Sequence, residues 1–245
     1  MSSSPSKPDH GQQGPDPEYK TLYLIGGVAS GLLVLLTLLH SSVFFVVGLP
    51  TSVTQWFELF TDSALKGLLA FELLLVVYVI LSVPVALALY AALRRSNPSL
   101  TLLFLAFALF GAAIFVTSRP AFEMLSLSHA YTSATTEAQQ AAYLAAGEAT
   151  LAAFTGTAYW TSYILGSLSG FLVSIVILQG TVFSKPTGYL RLASSVFDLG
   201  IFIPTVGMFI ALVSVFCLMG FHVLVALRLT HLGRIGRLVE GPSDT

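Results

Sequence analysis

The sequence contains very little charge. Only 9% of its 245 residues are Asp, Glu, Lys or Arg, whereas soluble domains carry about 25%. A chain with so few charges cannot cover a globule with solvated groups, and its mean hydropathy is +0.84. Lipid is therefore the expected solvent. The net charge of −1 provides no basic stripe to neutralise phosphates, so no nucleic-acid partner is predicted.

Signatures of catalytic and metal chemistry are also missing. The single cysteine, Cys217, cannot form an internal disulfide, and we expect a structural thiol in an apolar helix. No HxxxH, HExxH or CxxC pattern predicts a metal site, and no GxGxxG, GxxxxGK[ST] or GxSxG pattern predicts a nucleotide site or a serine nucleophile. We predict no metal, no cofactor and no catalytic residue. His40, His129 and His222 are interpreted as packing or interface residues.

Long apolar runs are the feature that the sequence has in abundance. A helix needs ~20 mainly apolar residues to cross a bilayer, and barrel strands would be shorter and alternating. The runs therefore predict an all-α, polytopic transmembrane helical bundle. The six predicted spans are Leu22–Leu49, Gly67–Leu93, Ser99–Ser118, Ala158–Gln179, Gly188–Ile203 and Gly207–Leu229, of which the fifth is the shortest.

Three segments between the spans are too polar for lipid-facing helices. Thr51–Lys66 mixes aromatic and acidic residues, which is typical of an interfacial segment. Pro120–Ser133 and Glu137–Phe154 are predicted as two helices outside or at the edge of the bilayer. The second begins with Thr136-x-x-Gln139, a capping-box pattern.

The basic residues predict the orientation. Residues 1–20 are expected to form a disordered cytoplasmic tail, residues 21–232 the transmembrane domain and residues 233–245 a second cytoplasmic tail. With both termini inside, nine of the eleven Lys and Arg residues are cytoplasmic and only Lys66 and Arg119 lie outside. This asymmetry favours a multi-pass protein of the cell membrane with both termini cytoplasmic.

Small residues in two spans predict how helices pack. Helices in lipid associate through close backbone approach. Span four carries a ridge of small residues that we expect to contact another helix of the same chain. Its candidate neighbour is Gly26–Gly31 of span one, where Gly27 and Gly31 are four residues apart. That ridge consists of Ser162, Gly166, Gly170 and Ser174. Chance occurrence and a dimer contact remain the alternatives, so oligomerisation is possible without specific support. Pro84 is expected to kink span two, with Ser82 satisfying a freed carbonyl.

Four ionisable residues are placed at similar outer depth by this topology: Glu72, Arg119, Glu123 and Asp198. Ionisable groups in a membrane need a partner or water. Arg119 and Glu123 are four apart, so they share a helix face if the helix continues through Pro120. Three interpretations stay open: carboxylates solvated at the interface, a structural clamp around Arg119, or a ligand, proton or ion site.

Three segments carry a family resemblance. They are VYVILSVPVALALYAALRRSNPSL at Val77–Leu100, SRPAFEMLSLSHAY at Ser118–Tyr131, and SYILGSLSG with the later VFSKPTGYL within Ser162–Leu190. From about Leu22 to Arg234 the chain resembles a prokaryotic integral membrane family, domain of unknown function 4386. The resemblance implies a multi-span helical protein of bacteria or archaea. It implies no activity and no site residue.

Two function classes follow. The first is a non-enzymatic accessory, sensor or small-solute or lipid-binding module, with membrane lipids as partners and the outer helices covering a pocket. The second is a membrane-embedded transporter or enzyme acting on a lipid or small solute. In it, Glu72, Glu123 or Asp198 would handle protons and Arg119 would bind an anionic head. The first is favoured because no catalytic constellation is visible.

Overall fold

The computed structural model describes residues 16–47, 50–203 and 205–239, and this part of the chain is helical without strands. Short 3₁₀ turns cover Pro17–Tyr19 and Leu199–Phe202. The α-helices are α1 (Lys20–Val47), α2 (Val53–Asp62), α3 (Ala64–Ala70), α4 (Leu73–Leu93), α5 (Pro98–Thr117), α6 (Ala121–Ser133), α7 (Glu137–Phe154), α8 (Thr157–Gln179), α9 (Lys185–Asp198) and α10 (Gly207–Val239). The predicted all-α polytopic bundle is confirmed.

Many large apolar side chains of this fold are exposed, whereas several serines are buried among the apolar residues of the core. Ser30 and Ser174 are fully buried, whereas Val28, Phe110 and Phe209 are 61%, 69% and 73% exposed. Small hydroxyl side chains bond to backbone carbonyls between helices, and large apolar side chains point outward. This arrangement suits a bundle whose surroundings are hydrocarbon.

Five segments of the described residues are long and apolar enough to cross a membrane, one fewer than predicted. They are Pro17–Val43, Leu73–Leu93, Pro98–Ser133, Glu137–Gln179 and Phe209–Ile235. The exception is the fifth predicted span, whose helix α9 has 14 residues and a length of about 21 Å. Helix α9 is therefore too short and too polar to count among the helices that could cross a membrane by length and composition.

The chain nevertheless passes along the bundle at α9. Gly188 packs against Ile177 and Leu178 near the end of α8. The Phe202 ring, just after α9, lies 5.0 Å from the Trp160 ring near the start of α8. Helix α9 and the turn after it therefore run antiparallel to α8 over most of its length. The short helix follows α8 on the flank of the bundle, and α10 covers its other side.

Helix α1 lies antiparallel to both α4 and α10. Gly26 packs against Ala88 of α4, and Gly27 against Thr230 of α10. Near the start of α1, Leu24 contacts Gly233. The first and last described helices therefore begin and end at the same end of the bundle. The predicted end of span one falls on residues 48–49, which lie outside the described residues.

Helices α2, α3, α6 and α7, here called the cap, form a second hydrophobic core. Its largest buried members are Trp56, Phe57, Phe60, Phe71 and Met124. The two helices predicted after span three are present at nearly the expected limits. The predicted interfacial segment consists of α2 and the start of α3, and it packs into the cap. The Thr136 hydroxyl accepts a hydrogen bond from the Gln139 N–H at 3.2 Å, as the capping pattern predicts.

The predicted N-terminal tail ends earlier than residue 20. Asp16 is buried and accepts hydrogen bonds from Arg94 Nη2 at 2.8 Å and Arg95 Nη2 at 2.9 Å. Burial opposes ionisation, but the bond from Arg94, the Glu18 N–H and the charge of Arg95 together hold the pKa of Asp16 below its usual value. Residues 1–15 of the predicted tail lie outside the described residues. So do residues 240–245 at the other end, whereas residues 233–239 extend α10 rather than forming a tail.

Two packing expectations differ in detail. Pro84 removes the helical partner of the Ile80 carbonyl, but Ser82 donates to the Val79 carbonyl instead, at 2.7 Å. The ridge of α8 does not face α1, whose main neighbours are α4 and α10. At Gly170 it faces Arg191 and Ser195 of α9. The prediction that this ridge contacts another helix of the same chain is confirmed at Gly170. The neighbour named for it, span one, is wrong, because the shorter α9 occupies that face.

We predict that Gly170→Leu lowers the melting temperature in detergent, whereas Gly31→Leu does not. A Cβ at Gly170 would stand 2.5 Å from Arg191 Cζ, but a Cβ at Gly31 meets no atom within 4 Å. Overpacking costs about 1–3 kcal/mol, and loss of a helical glycine stabilises by up to ~1 kcal/mol. Equal melting temperatures for the two variants would contradict the α8–α9 contact.

Candidate functional site

The four residues predicted as one outer polar cluster fall into separate places. Glu72 and Arg119 meet where the cap joins the bundle. Glu123 is exposed on α6. Asp198 lines a cavity inside the bundle. The expectation that Arg119 has a carboxylate partner is therefore confirmed, with Glu72 as the partner, whereas the single four-residue cluster is wrong.

Arg119 stands where three helix breaks converge. It lies between α5 and α6, and Glu72 lies between α3 and α4 with a left-handed φ of 64°. Phe154 is the last residue of α7, just before the break that leads into α8. A non-glycine residue in the left-handed region stores strain of about 1–3 kcal/mol, so the contacts of Glu72 must hold it there.

The guanidinium of Arg119 is almost completely enclosed, with 1% of its side chain exposed. Its Nε lies 2.8 Å from Glu72 Oε2, as an ion pair rather than a directed hydrogen bond. Nη1 donates to the Phe154 carbonyl at 2.8 Å. The Phe115, Phe154 and Tyr159 rings surround Cζ at 4.5, 4.3 and 4.4 Å. We call this set the Arg119 clamp.

The clamp has the character of a structural joint. Cation–π contacts are worth up to about 2 kcal/mol when desolvated, and three rings leave no open face for a ligand. Glu123 does not join it, because the chain turns at Ser118–Pro120 before α6 begins at Ala121. The four-residue spacing of Arg119 and Glu123 therefore does not place them on one helix face.

A cavity of about 250 Å³ lies inside the bundle between α4, α5, α8, α9 and α10. One wall is apolar and consists mainly of α4 and α5 residues, among them Val79, Val85, Ala86, Leu89, Phe104, Ala108, Ala112 and Phe115. The larger polar residues of the lining come mainly from α8, α9 and α10, with one from α4. They are Tyr78, Tyr163, Ser167, Arg191, Asp198 and His222.

Arg191 is the residue that the sequence analysis misplaced. It was counted among the cytoplasmic basic residues, but it contacts Gly166 and Gly170 near the middle of α8. Its Nη2 donates to the Gly166 carbonyl and its Nη1 to Ser194 Oγ, both at 3.3 Å. No carboxylate of the described residues is within ion-pair distance of Arg191. The sequence feature that indicates this placement is the seven-residue spacing of Arg191 and Asp198, which puts both residues on the same face of α9.

Asp198 is held by hydroxyl groups. Ser214 Oγ donates to its Oδ1, and Tyr163 interacts with the same carboxylate. Ser214 Oγ also lies 3.4 Å from Ser194 Oγ. Two serines therefore connect Arg191 to Asp198. The links from Arg191 to Ser194 and from Ser194 to Ser214 are long, since ordinary hydrogen bonds of this kind measure about 2.5–3.2 Å, whereas the bond from Ser214 to Asp198 is close.

His222 connects the cavity wall to α1. Ser30 Oγ donates to the His222 carbonyl at 2.9 Å and lies 3.0 Å from Nδ1. Because the hydroxyl has one hydrogen, Nδ1 carries the proton of this second contact. In a neutral imidazole Nε2 then accepts from the Tyr78 hydroxyl, which is 2.9 Å away. Tyr78 therefore offers the cavity only acceptor lone pairs.

Ser167 is the polar group of the cavity without a partner. It is 2% exposed, and its Oγ has no hydrogen bond within the described residues. Three other serines of the lining donate to backbone carbonyls: Ser82 to Val79, Ser162 to Tyr159 and Ser169 to Phe104. A buried hydroxyl without a partner costs about 1–3 kcal/mol, so this one is available to a bound molecule.

The charged groups and the unpartnered hydroxyl of the lining allow the cavity to bind a small molecule through charge and hydrogen bonds. In the described part of the chain no group of three or more His, Cys, Asp or Glu residues could hold a metal. His222 bonds to the hydroxyls of Ser30 and Tyr78, so among the described residues the lining hydroxyl paired with a histidine is the phenol of Tyr78 rather than a serine.

We predict that Arg119→Gln destabilises the protein by about 3–5 kcal/mol, because it leaves Glu72 buried without its partner. Glu123→Gln, at an exposed position of α6, should change stability by less than about 0.5 kcal/mol. Denaturation in detergent measures both. If Arg119→Gln unfolds at the same point as Glu123→Gln, the clamp has no structural role.

No protein-family model, no curated protein and no solved structure matches this chain. The resemblance to domain of unknown function 4386 therefore stays a prediction.

Proposed function

We propose that the protein is a non-enzymatic, solute-binding module of the cell membrane, which holds a small molecule in the cavity between α4, α5, α8, α9 and α10. The observation that carries this proposal is the pair of opposite charges, Arg191 and Asp198, in the lining of a cavity between helices.

The free-energy cost of keeping two ionisable side chains inside the bundle supports this interpretation. An ionisable side chain near the centre of a membrane costs several kcal/mol unless it is paired or reached by water. Arg191 and Asp198 are connected only through two serines. An apolar residue at either position would avoid this cost, so binding at the cavity is the physical reason to keep them.

The size of the cavity limits the ligand. Sites for drug-sized ligands measure about 300–1,000 Å³, whereas this cavity measures about 250 Å³. The cavity is partly open, so the part of the bound molecule that lies within it is a small solute or a short segment of a lipid.

The outer Arg119 site is the weaker candidate for a transporter or enzyme. Its guanidinium is enclosed by three aromatic rings and Glu72. Glu123 and Asp198, the other proposed proton-handling carboxylates, do not face it. The geometry favours a joint between cap and bundle there, and binding in the cavity.

We further propose that both termini are cytoplasmic and that the cap lies outside. Lys20, Arg94, Arg95, Lys185, Arg228 and Arg234 belong to one end of the bundle, and Lys66 and Arg119 to the other. With Arg191 placed inside the bundle, the asymmetry that supports this orientation is smaller than predicted but has the same sign. Lys7 and the Arg237 side chain lie outside the described residues.

Labelling of single cysteines tests the orientation. In a Cys217→Ala background, an impermeant thiol reagent added to intact cells should modify Ala138→Cys in the cap. It should spare Ser96→Cys, in the turn between α4 and α5. Both positions are exposed, so access rather than burial decides the result. Modification of Ser96→Cys but not of Ala138→Cys would show the opposite orientation.

Filling the cavity tests the binding function. A Cβ at Gly166 meets no atom within 4 Å, and Gly166 lines the cavity, so Gly166→Leu should fold and occupy the space. Native mass spectrometry of the protein purified with its lipids should then detect a retained small molecule in the wild type and none in Gly166→Leu. Gly31→Leu is the matched control, since Gly31 is equally open but does not line the cavity.

A molecule retained by all three proteins would lie elsewhere and would contradict the proposal. A wild-type protein that retains nothing, from cells and after incubation with a solute library, would also contradict it.

A further inference from the structure

Resting on the proposed function, we infer that the ligand is a small amphipathic anion, whose charged head binds Arg191 and Ser167 and whose apolar body lies against α4 and α5.

Arg191 has donors to spare. A guanidinium carries five N–H donors, and the described residues accept from two of its nitrogens, each at 3.3 Å. Both acceptors, Gly166 O and Ser194 Oγ, are neutral. Guanidinium groups bind carboxylate and phosphate oxygens through two parallel bonds. The remaining donors of Arg191 are therefore suited to an anionic head.

Ser167 adds a second donor to the same cavity. It follows Gly166, whose carbonyl accepts a hydrogen bond from Arg191, so the guanidinium reaches the backbone next to Ser167. Both line the cavity. An anion placed between them would satisfy the buried hydroxyl and the charge together.

A cationic ligand is less suited to this wall. The carboxylate of Asp198 already receives the Ser214 hydroxyl and interacts with Tyr163. Tyr78 offers lone pairs but no net charge. The Ser167 hydroxyl has no hydrogen bond within the described residues, and Arg191 has only neutral acceptors, so the lining groups whose hydrogen-bonding needs are least met are donors.

The α4 and α5 side of the cavity favours an apolar body. Apart from Tyr78 and Ser82, whose hydroxyls donate to His222 and to the Val79 carbonyl, its lining residues are apolar, among them Ala86, Ala108 and Phe115. Burial of a methylene group contributes about 0.8 kcal/mol. A head without a body would leave this contribution unused, so an amphiphile is expected to bind more tightly than a simple anion.

Binding of radiolabelled probes to the protein in nanodiscs tests the inference, with empty nanodiscs as the partition control. The probes are octanoate, octanol and octylamine, which share a chain, and acetate, which has the head alone. Octanoate should bind at least about tenfold more tightly than octanol or octylamine, which corresponds to one charge-assisted hydrogen bond. Acetate at the same concentration should not bind measurably.

Three variants separate the head contacts from folding. Arg191→Gln should remove the preference for octanoate, and Ser167→Ala, a minor change, should weaken octanoate several-fold. Asp198→Asn removes a negative charge from the wall, so it should tighten octanoate binding. Arg228→Gln is the control, because Arg228 bonds to Val182 at the end of the bundle, away from the cavity.

The outcomes distinguish this inference from the proposed function. If the three amphiphiles bind equally and all are lost in Gly166→Leu, the cavity binds solutes but the anionic head is wrong. Tight acetate binding would overturn the apolar body, and weaker octanoate binding by Asp198→Asn would indicate a zwitterionic ligand instead. Octanoate binding that survives both Arg191→Gln and Ser167→Ala would overturn the head contacts.

Discussion

The contact between Arg119 and Glu72 holds the two parts of this protein together. The cap and the bundle have separate hydrophobic cores, and three helix breaks lie between them. Each break supplies part of the clamp: Glu72 from the first, Arg119 from the second, Phe154 and Tyr159 from the third. One guanidinium thus orients every connection between cap and bundle except the one that leads out of α1. The strained backbone of Glu72 is tolerable because its carboxylate is held by this charge.

Much of the fold could be predicted because its signals are local. Runs of apolar residues place α1, α5 and α8 within about two residues, but they start α4 six residues early and end α10 ten residues early. The Thr136 cap marks the start of α7. The extent of α9 could not be read in this way. Its inward face carries Ser194 and Ser195, and its outward face Tyr189 and Val196, which are 61% and 51% exposed. Such a helix has a polar interior side and an apolar lipid side, so its average hydropathy resembles that of a loop.

The site was predicted less well, for a related reason. The need of a membrane charge for a partner does indicate that Arg119 pairs with a carboxylate, but it does not say which one. Pairing with Glu72 depends on a break at Phe71–Glu72 inside a run that reads as one continuous span. Arg191 was assigned to the membrane surface because basic residues usually end a span. Only the placement of α9 against Gly170 brings it into the bundle, and a contact between distant segments leaves no periodicity in the sequence.

The polar face of α9 also constrains how the chain is assembled. A translocating machinery selects helices one by one for transfer into lipid, and an arginine or aspartate near the centre of a helix opposes that transfer by about 2.5–3.5 kcal/mol. Helix α9 carries both and is short, whereas α10 is long and apolar. The two are joined by a tight connection, with Gly200 packed against Ile210. Helix α9 is therefore expected to enter the bilayer together with α10, as a hairpin that packs against α8, rather than as a helix on its own.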